Sequence, residues 1–150
     1  MLATWNVVVN RPQEEVFAYL ADIARHGEWS PKPWRQEGFT APLAAGSRFT
    51  SWGVIPRDKE HRNEVECIVY EPPSKLALQA MENEGRFVTS YVLTARDGGT
   101  NVQKTMDMPK PTGALGFFFP LLLAAYIKPA VQKGMNQLKQ RLESQGSAAA

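Results

Sequence analysis

The sequence predicts an α+β fold in which one long C-terminal helix lies across a curved antiparallel sheet of seven strands. Three observations predict it. Strand-like segments follow one another from residue 33 to residue 109 with little but turn residues between them, and one more opens the chain. Apolar residues recur at helical spacing from Phe117 to Leu142. The remaining helical pattern is brief and directly follows the first strand, so the helices are segregated to the ends of the sheet.

Residues 2–10 alternate, with Trp5, Val7 and Val9 on one face and Thr4, Asn6 and Asn10 on the other, as in a half-buried strand. Arg11-Pro12 ends it, and Pro12 suits the first turn of a helix, where its missing N–H is not needed. Glu14 and Glu15 favour that helix start through the helix dipole. Val16, Phe17, Leu20 and Ile23 then form one apolar stripe that breaks near Gly27.

Strands are expected near 33–38, 46–55, 61–71, 75–83, 86–96 and 100–109. Asp97-Gly98-Gly99 is the strongest hairpin signal. Glu71-Pro72-Pro73-Ser74 separates another pair, because proline cannot donate to a strand ladder. The run Arg57-Asp58-Lys59-Glu60-His61-Arg62 mixes both charges and reads as a solvated hairpin tip. Polar residues set the facing of each strand. With Glu64 and Glu66 outward, Val65, Cys67 and Val69 point inward. By the same rule Leu76, Leu78 and Ala80 point inward, as do Phe87, Thr89, Tyr91 and Leu93. The last strand sends Val102, Lys104, Met106 and Met108 to the interior.

Residues 113–145 read as a long helix, with Phe117, Leu121, Ala124, Ile127, Val131, Met135, Leu138 and Leu142 on its inward stripe. Pro129 removes a bond to the carbonyl of Ala125 and is expected to kink or break it. Residues 1–145 are read as one domain and 146–150 as a disordered tail.

The composition is 43% hydrophobic and 21% charged, with net charge +2, which is globular and carries no dense basic block for nucleic acid. The single cysteine, Cys67, permits no intrachain disulfide and suits a reducing cytoplasm. With His26 and His61 the only histidines, no His-rich metal site can be built, and no cofactor motif is present. Met1 to Asn10 lacks the basic start and apolar run of a signal peptide. Ala114 to Ile127 is a run of fourteen apolar or proline residues, short of the ~20 that a spanning helix needs.

The segment from Arg11 to Asp22, followed by His26-Gly27-Glu28-Trp29-Ser30-Pro31, resembles the START/birch-allergen-like superfamily. Within it, the chain is similar to the bacterial polyketide cyclase/dehydrase-type (SRPBCC) proteins. Gly46-Ser47-Arg48-Phe49, Glu71-Pro72-Pro73 and Gly99-Thr100-Asn101-Val102 continue the likeness. The resemblance covers about the whole chain. It implies a helix-grip fold, seven strands around the C-terminal helix, with a cavity between them closed by two short helices after strand 1. The family includes lipid and sterol carriers, hormone receptors and aromatase/cyclases, so the resemblance fixes the fold and leaves the function open.

The expected lining of a ligand cavity is Trp29, Trp34, Phe49, Cys67, Leu78, Phe87, Thr89, Tyr91, Met106, Met108, Phe117, Leu121 and Ala124. Ligand sites usually enclose roughly 300–1,000 Å³. Plain core packing is the alternative for each residue taken singly. Tyr91 and Thr89 are polar groups on the inward face, open either to a ligand or to a structural bond. Lys104 is the oddity, because a buried ammonium is costly unless paired. It either meets an acidic ligand group, or acts as a base or Schiff-base nucleophile, or turns outward through a bulge or by snorkelling. Tyr91 and Lys104 are the only candidates for catalysis. His26 and Glu28 are read as mainly solvated, with Trp29 anchoring the short helices. Cys67 is read as an inert thiol.

Phe118, Leu122 and Tyr126 fall off the inward stripe and need covering. They form a gate under the loops near Pro31–Pro33, a homodimer patch through Phe118 and Leu122, or a transient membrane contact. Three functions follow in order: a carrier of a small hydrophobic, lipid-like, polyketide-like or aromatic molecule; a polyketide-type cyclase or dehydratase; and a protein-interaction module.

Overall fold

A computed structural model describes residues 1–55, 58–82 and 85–149. Strands β1 (Leu2–Val9), β2 (Arg35–Glu37), β3 (Arg48–Ile55), β4 (Asp58–Glu71), β5 (Lys75–Glu82), β6 (Gly85–Arg96) and β7 (Gly99–Asp107) form one sheet in the order β1-β7-β6-β5-β4-β3-β2. Every neighbouring pair is antiparallel. Helix α1 (Gln13–Ala21) and a 3₁₀ turn (Ile23–Glu28) follow β1, and helices α2 (Gly113–Leu122) and α3 (Lys128–Ala149) follow β7. This is the expected α+β helix-grip arrangement.

Alternation carries most of the sheet. In β1, Ala3, Trp5, Val7 and Val9 are buried while the residues between them are exposed. The β6–β7 hairpin closes through Asp97 at φ +48° and Gly98 at φ +80°. Two positive φ values make the type I′ turn that matches strand twist. Gly99 is fixed by a different cause, since a Cβ there would lie 2.6 Å from the Val9 carbonyl oxygen of β1.

Two readings of β4 change. Asp58 to Arg62 belong to the strand itself, and Arg57 of the expected hairpin tip lies outside the described residues. A bulge between Cys67 and Val69 shifts the register, so Val69 pairs with Ala77 while Tyr70 pairs with the fully buried Leu76. The extra residue reverses facing beyond it. Tyr70, not Val69, therefore turns inward and meets the Phe17 ring of α1 edge-on at 5.5 Å.

The C-terminal helix shows the largest departure. A π-helical turn (Leu123–Ile127) joins α2 to α3, with the Lys128 N–H bonded to the Leu123 carbonyl. Pro129 offers no N–H to Ala125 and its ring crowds that carbonyl, and the widened turn relieves both without a break. The turn inserts one extra residue, which rotates everything before it relative to α3. Met135, Leu138 and Leu142 keep their predicted burial, and Ile127 and Val131 pack against the core. Upstream, the buried positions are Gly116, Phe119 and Leu123, whereas Phe117 is 79% and Leu121 68% exposed and Ala124 is also exposed. α3 runs on through Ser147 to Ala149, where the sequence led us to expect a tail from residue 146.

By length and composition the continuous helix from Gly113 to Gln145 would pass for a membrane span, which the fourteen-residue run alone would not. Its second half is instead the helix that covers the sheet. Side-chain bonds fasten α3 to β1: Trp5 Nε1 donates to the Lys128 carbonyl at 3.1 Å, and Lys139 Nζ to the Val8 carbonyl at 2.7 Å. Burying a Leu or Met side chain there contributes about 1.5–3 kcal/mol each. α3 thus lies toward the β1 edge, leaving the concave face of β3 to β6 to be covered by something else.

Candidate functional site

What covers that half of the sheet is the 3₁₀ turn and the segment after it. His26, Trp29, Ser30, Pro31 and Trp34 stand over the inward side chains of β3 to β7, and between them lies a cavity of about 340 Å³. No residue of α2 or α3 lines it. The void is therefore beside the C-terminal helix and not beneath it, a correction to the expected placement.

The apolar wall comes from Phe49, Val65, Leu78, Ala80 and Phe87, with Ile55 at the rim. Of the residues expected from sequence, Trp29, Trp34, Phe49, Leu78, Phe87, Thr89 and Tyr91 are brought together here. Cys67, Met106, Met108, Phe117, Leu121 and Ala124 are not. Cys67 is fully buried, its thiol 3.4 Å from the Val69 carbonyl, and burial pushes its pKa up, as suits an inert thiol. Met106 and Met108 pack into the core nearer the β1 edge, Met106 pairing with Ala3. Phe117, Leu121 and Ala124 were lost to the rotation imposed by the π-helical turn.

Lys104 points into the cavity. β7 pairs without a bulge on both sides, Lys104 opposite Trp5 of β1 and Tyr91 of β6. This removes the reading in which a bulge turns it out. Its Nζ lies 5.4 Å from the Tyr91 ring centroid and 5.8 Å from that of Trp29.

His26 also departs from expectation, being buried where solvation was predicted. Its ring lies between Trp29 and Trp34, with centroids 5.1 and 5.4 Å away. Nε2 is 2.7 Å from the Leu20 carbonyl, which can only accept, so Nε2 carries the proton and Nδ1 holds the lone pair. Desolvation lowers the His26 pKa to about 4, leaving the imidazole neutral at physiological pH. Glu28 meanwhile pairs with Arg25 at 2.6 Å and takes no part in the cavity.

Sequence reasoning also missed Ser51, His61 and Asn63, which line the β3–β4 side. His61 Nδ1 lies 3.2 Å from an Asp58 carboxylate oxygen. Strict alternation through β4 would have found Asn63, two residues before Val65 on the same face. Among the described residues, the Trp29 indole Nε1 and the Asn63 Oδ1 of this lining are buried without a hydrogen-bond partner, as are Tyr19 Oη and Gln137 Oε1 outside it. Buried polar groups are nearly always satisfied by protein or by ordered water, so the two in the lining are open to a water or a ligand.

A second crevice, of about 360 Å³, lies between α1 and the end of α3. Its Arg11 and Arg25 are already paired with Glu15 and Glu28. Among the described residues no cluster of three His, Cys, Asp or Glu could hold a metal.

This architecture agrees with a known family, described as polyketide cyclase / dehydrase and lipid transport, which matches residues 3–143. The chain belongs to that family. No curated protein matches the chain. Among solved structures, it is similar to protein TTHA0849 from Thermus thermophilus at a TM-score of 0.75 and 16% identity, covering 96% of this chain and 98% of that one. Protein NE0264 from Nitrosomonas europaea gives 0.71 and 15%, covering 99% and 97%, and protein Ms6760 from Mycobacterium smegmatis gives 0.69 and 18%, covering 96% and 92%. At such identities these family folds share the backbone path, and their cavities need not share side chains.

Proposed function

We propose that residues 1–145 act as one domain that binds and carries a small hydrophobic molecule in the cavity under Trp29 and Trp34. The observation that carries this reading is the pairing of an apolar wall with buried polar atoms that have no partner among the described residues. An apolar surface with a few oriented polar groups is what a small-molecule site requires. Phe49, Leu78 and Phe87 would enclose the ligand body, while Thr89, Tyr91 and Lys104 would fix its polar end. The family's breadth, from cyclases to lipid transport, supports hydrophobic ligands in general. The buried free thiol of Cys67 supports a reducing compartment, the cytoplasm. The test is titration with the neutral fluorophore N-phenyl-1-naphthylamine. Saturable one-to-one binding is expected, and Ala80→Trp should abolish it by filling the cavity.

A second reading, cyclisation of a polyketide-type chain, is supported by the polar side of the same cavity. Lys104 or the Tyr91 hydroxyl would hydrogen-bond a ketone oxygen and polarise that carbonyl while the cavity holds the chain folded. Turnover of a short poly-β-keto thioester, lost in Lys104→Met, would favour it over simple carriage.

The outer face of α2 supports a docking role alongside the cavity. Leu115, Phe117, Phe118, Leu121 and Tyr126 are exposed, whereas Leu122, expected to share that patch, packs against the core. Between Met108 and Leu142 the only charged residues are cations: Lys110, Lys128, Lys133, Lys139 and Arg141. An apolar face flanked in sequence by Lys110 and Lys128 suits the surface of an anionic membrane. A second copy of the chain would set like charges against each other. We therefore assign the occupant as an anionic lipid surface, the source or destination of the carried molecule. The gate reading is withdrawn, because α2 does not touch the cavity.

A further inference from the structure

We infer that the ligand of this cavity carries an acidic oxygen, a carboxylate or an enolate or phenolate, and that Lys104 receives it with the Trp29 indole N–H as a second donor. This rests on the cavity being the ligand site, and it names the chemical class that the site selects.

Among the described residues, the Lys104 ammonium has neither a hydrogen bond nor an ion pair. The flanking strands β1 and β6 carry no carboxylate, and those of β4 and β7 nearest the cavity lining in sequence are engaged elsewhere. Glu64 pairs with Arg62 and Thr50, Glu66 with Arg48, Asp58 with His61, and Asp107 with the amino terminus. None of these four carboxylates lines the cavity. Nζ lies over the Tyr91 and Trp29 rings, whose faces attract a cation but accept no strong hydrogen bond. Half-buried, the ammonium keeps its three N–H donors for water or for a ligand that displaces it.

The surroundings reinforce the sign. His26, facing the same space, is neutral because burial opposes its protonation and Lys104 repels a second positive charge. The Lys104 side chain stands in a partly apolar cavity, where an opposite charge interacts more strongly than in water. The Trp29 Nε1–H, buried and without an acceptor, belongs to the ring against which Lys104 lies. An indole can only donate, so both groups call for an acceptor. A neutral ketone oxygen could accept from both, but without a charge to match the ammonium. An anionic oxygen, with several lone pairs and a charge, satisfies both.

The probes are naphthalene-2-carboxylate and its neutral isostere naphthalene-2-carboxamide, titrated by calorimetry near neutral pH. The unmodified protein is expected to bind the carboxylate about tenfold or more tightly than the carboxamide, the usual gain from a charge-assisted hydrogen bond. Lys104→Met should erase that preference while leaving carboxamide affinity in place, which also reports that the variant's cavity is intact. Equal affinity for the two probes in the unmodified protein would overturn the acidic-ligand inference and leave the carrier reading standing. A preference that survives Lys104→Met would overturn the role of Lys104. Failure of both probes to bind would overturn this inference together with the reading of the cavity as a ligand site.

Discussion

His26 donates its Nε2–H to the backbone carbonyl of Leu20 across 2.7 Å, tying the 3₁₀ turn that roofs the cavity to the end of α1. That bond needs only the neutral ring, and the ring is buried between Trp29 and Trp34.

The roof should therefore be acid-sensitive. The unfolded chain takes up a proton at His26 near pH 6.5, whereas the folded chain resists until about pH 4. Between those values the unfolded state binds more protons, so this contribution is complete above pH 6.5 and is lost as pH falls toward 4. The full loss is of order 3 kcal/mol. Denaturant melts at stepped pH should show this slope. His26→Gln should flatten it above pH 5, and an unchanged slope in that variant would refute the assignment.

Gly99 is placed by contact and not by turn geometry. A Cβ there would press on the Val9 carbonyl of β1 at 2.6 Å, and the atoms it meets are all backbone of Val9 and Asn10, which leaves little room to yield. Gly99→Ala should cost about 1–3 kcal/mol, read as a lowered thermal midpoint. Gly46→Ala, where nothing lies within 4 Å but φ is +90°, separates strain from collision. Its loss should be smaller.

The α2 face should bind vesicles. Co-flotation with phosphatidylcholine alone should be weak, and adding phosphatidylglycerol should strengthen it in a salt-sensitive way. Phe117→Ser with Leu121→Ser should abolish it at unchanged thermal midpoint, since both side chains are exposed. A concentration-dependent dimer without vesicles, lost in the same variant, would reassign the face to a second copy.

The sheet was legible because period-two alternation and turn chemistry are local, as Asp97-Gly98 and the β1 pattern illustrate. Lys104 was legible for the same reason, since an unbroken strand carries facing along its length. Two single-residue insertions defeated the pattern. The bulge after Cys67 exchanged Val69 for Tyr70, and the π-helical turn before Pro129 moved Phe117 and Leu121 to the surface. Both depend on how the chain absorbs one extra residue, which periodicity does not encode. His26 was missed because its burial comes from Trp34, eight residues on, folding back over it.

The central claim is that a guest seats under Trp29 and not on the exposed helix. The direct measurement is the indole N–H NMR signals of Trp5, Trp29, Trp34 and Trp52 during titration with naphthalene-2-carboxamide. A saturable shift of Trp29 Nε1–H is expected, absent in Ala80→Trp, with Trp5 little changed. A Trp29 signal that stays put while the amides of Phe117 and Phe118 move would contradict it.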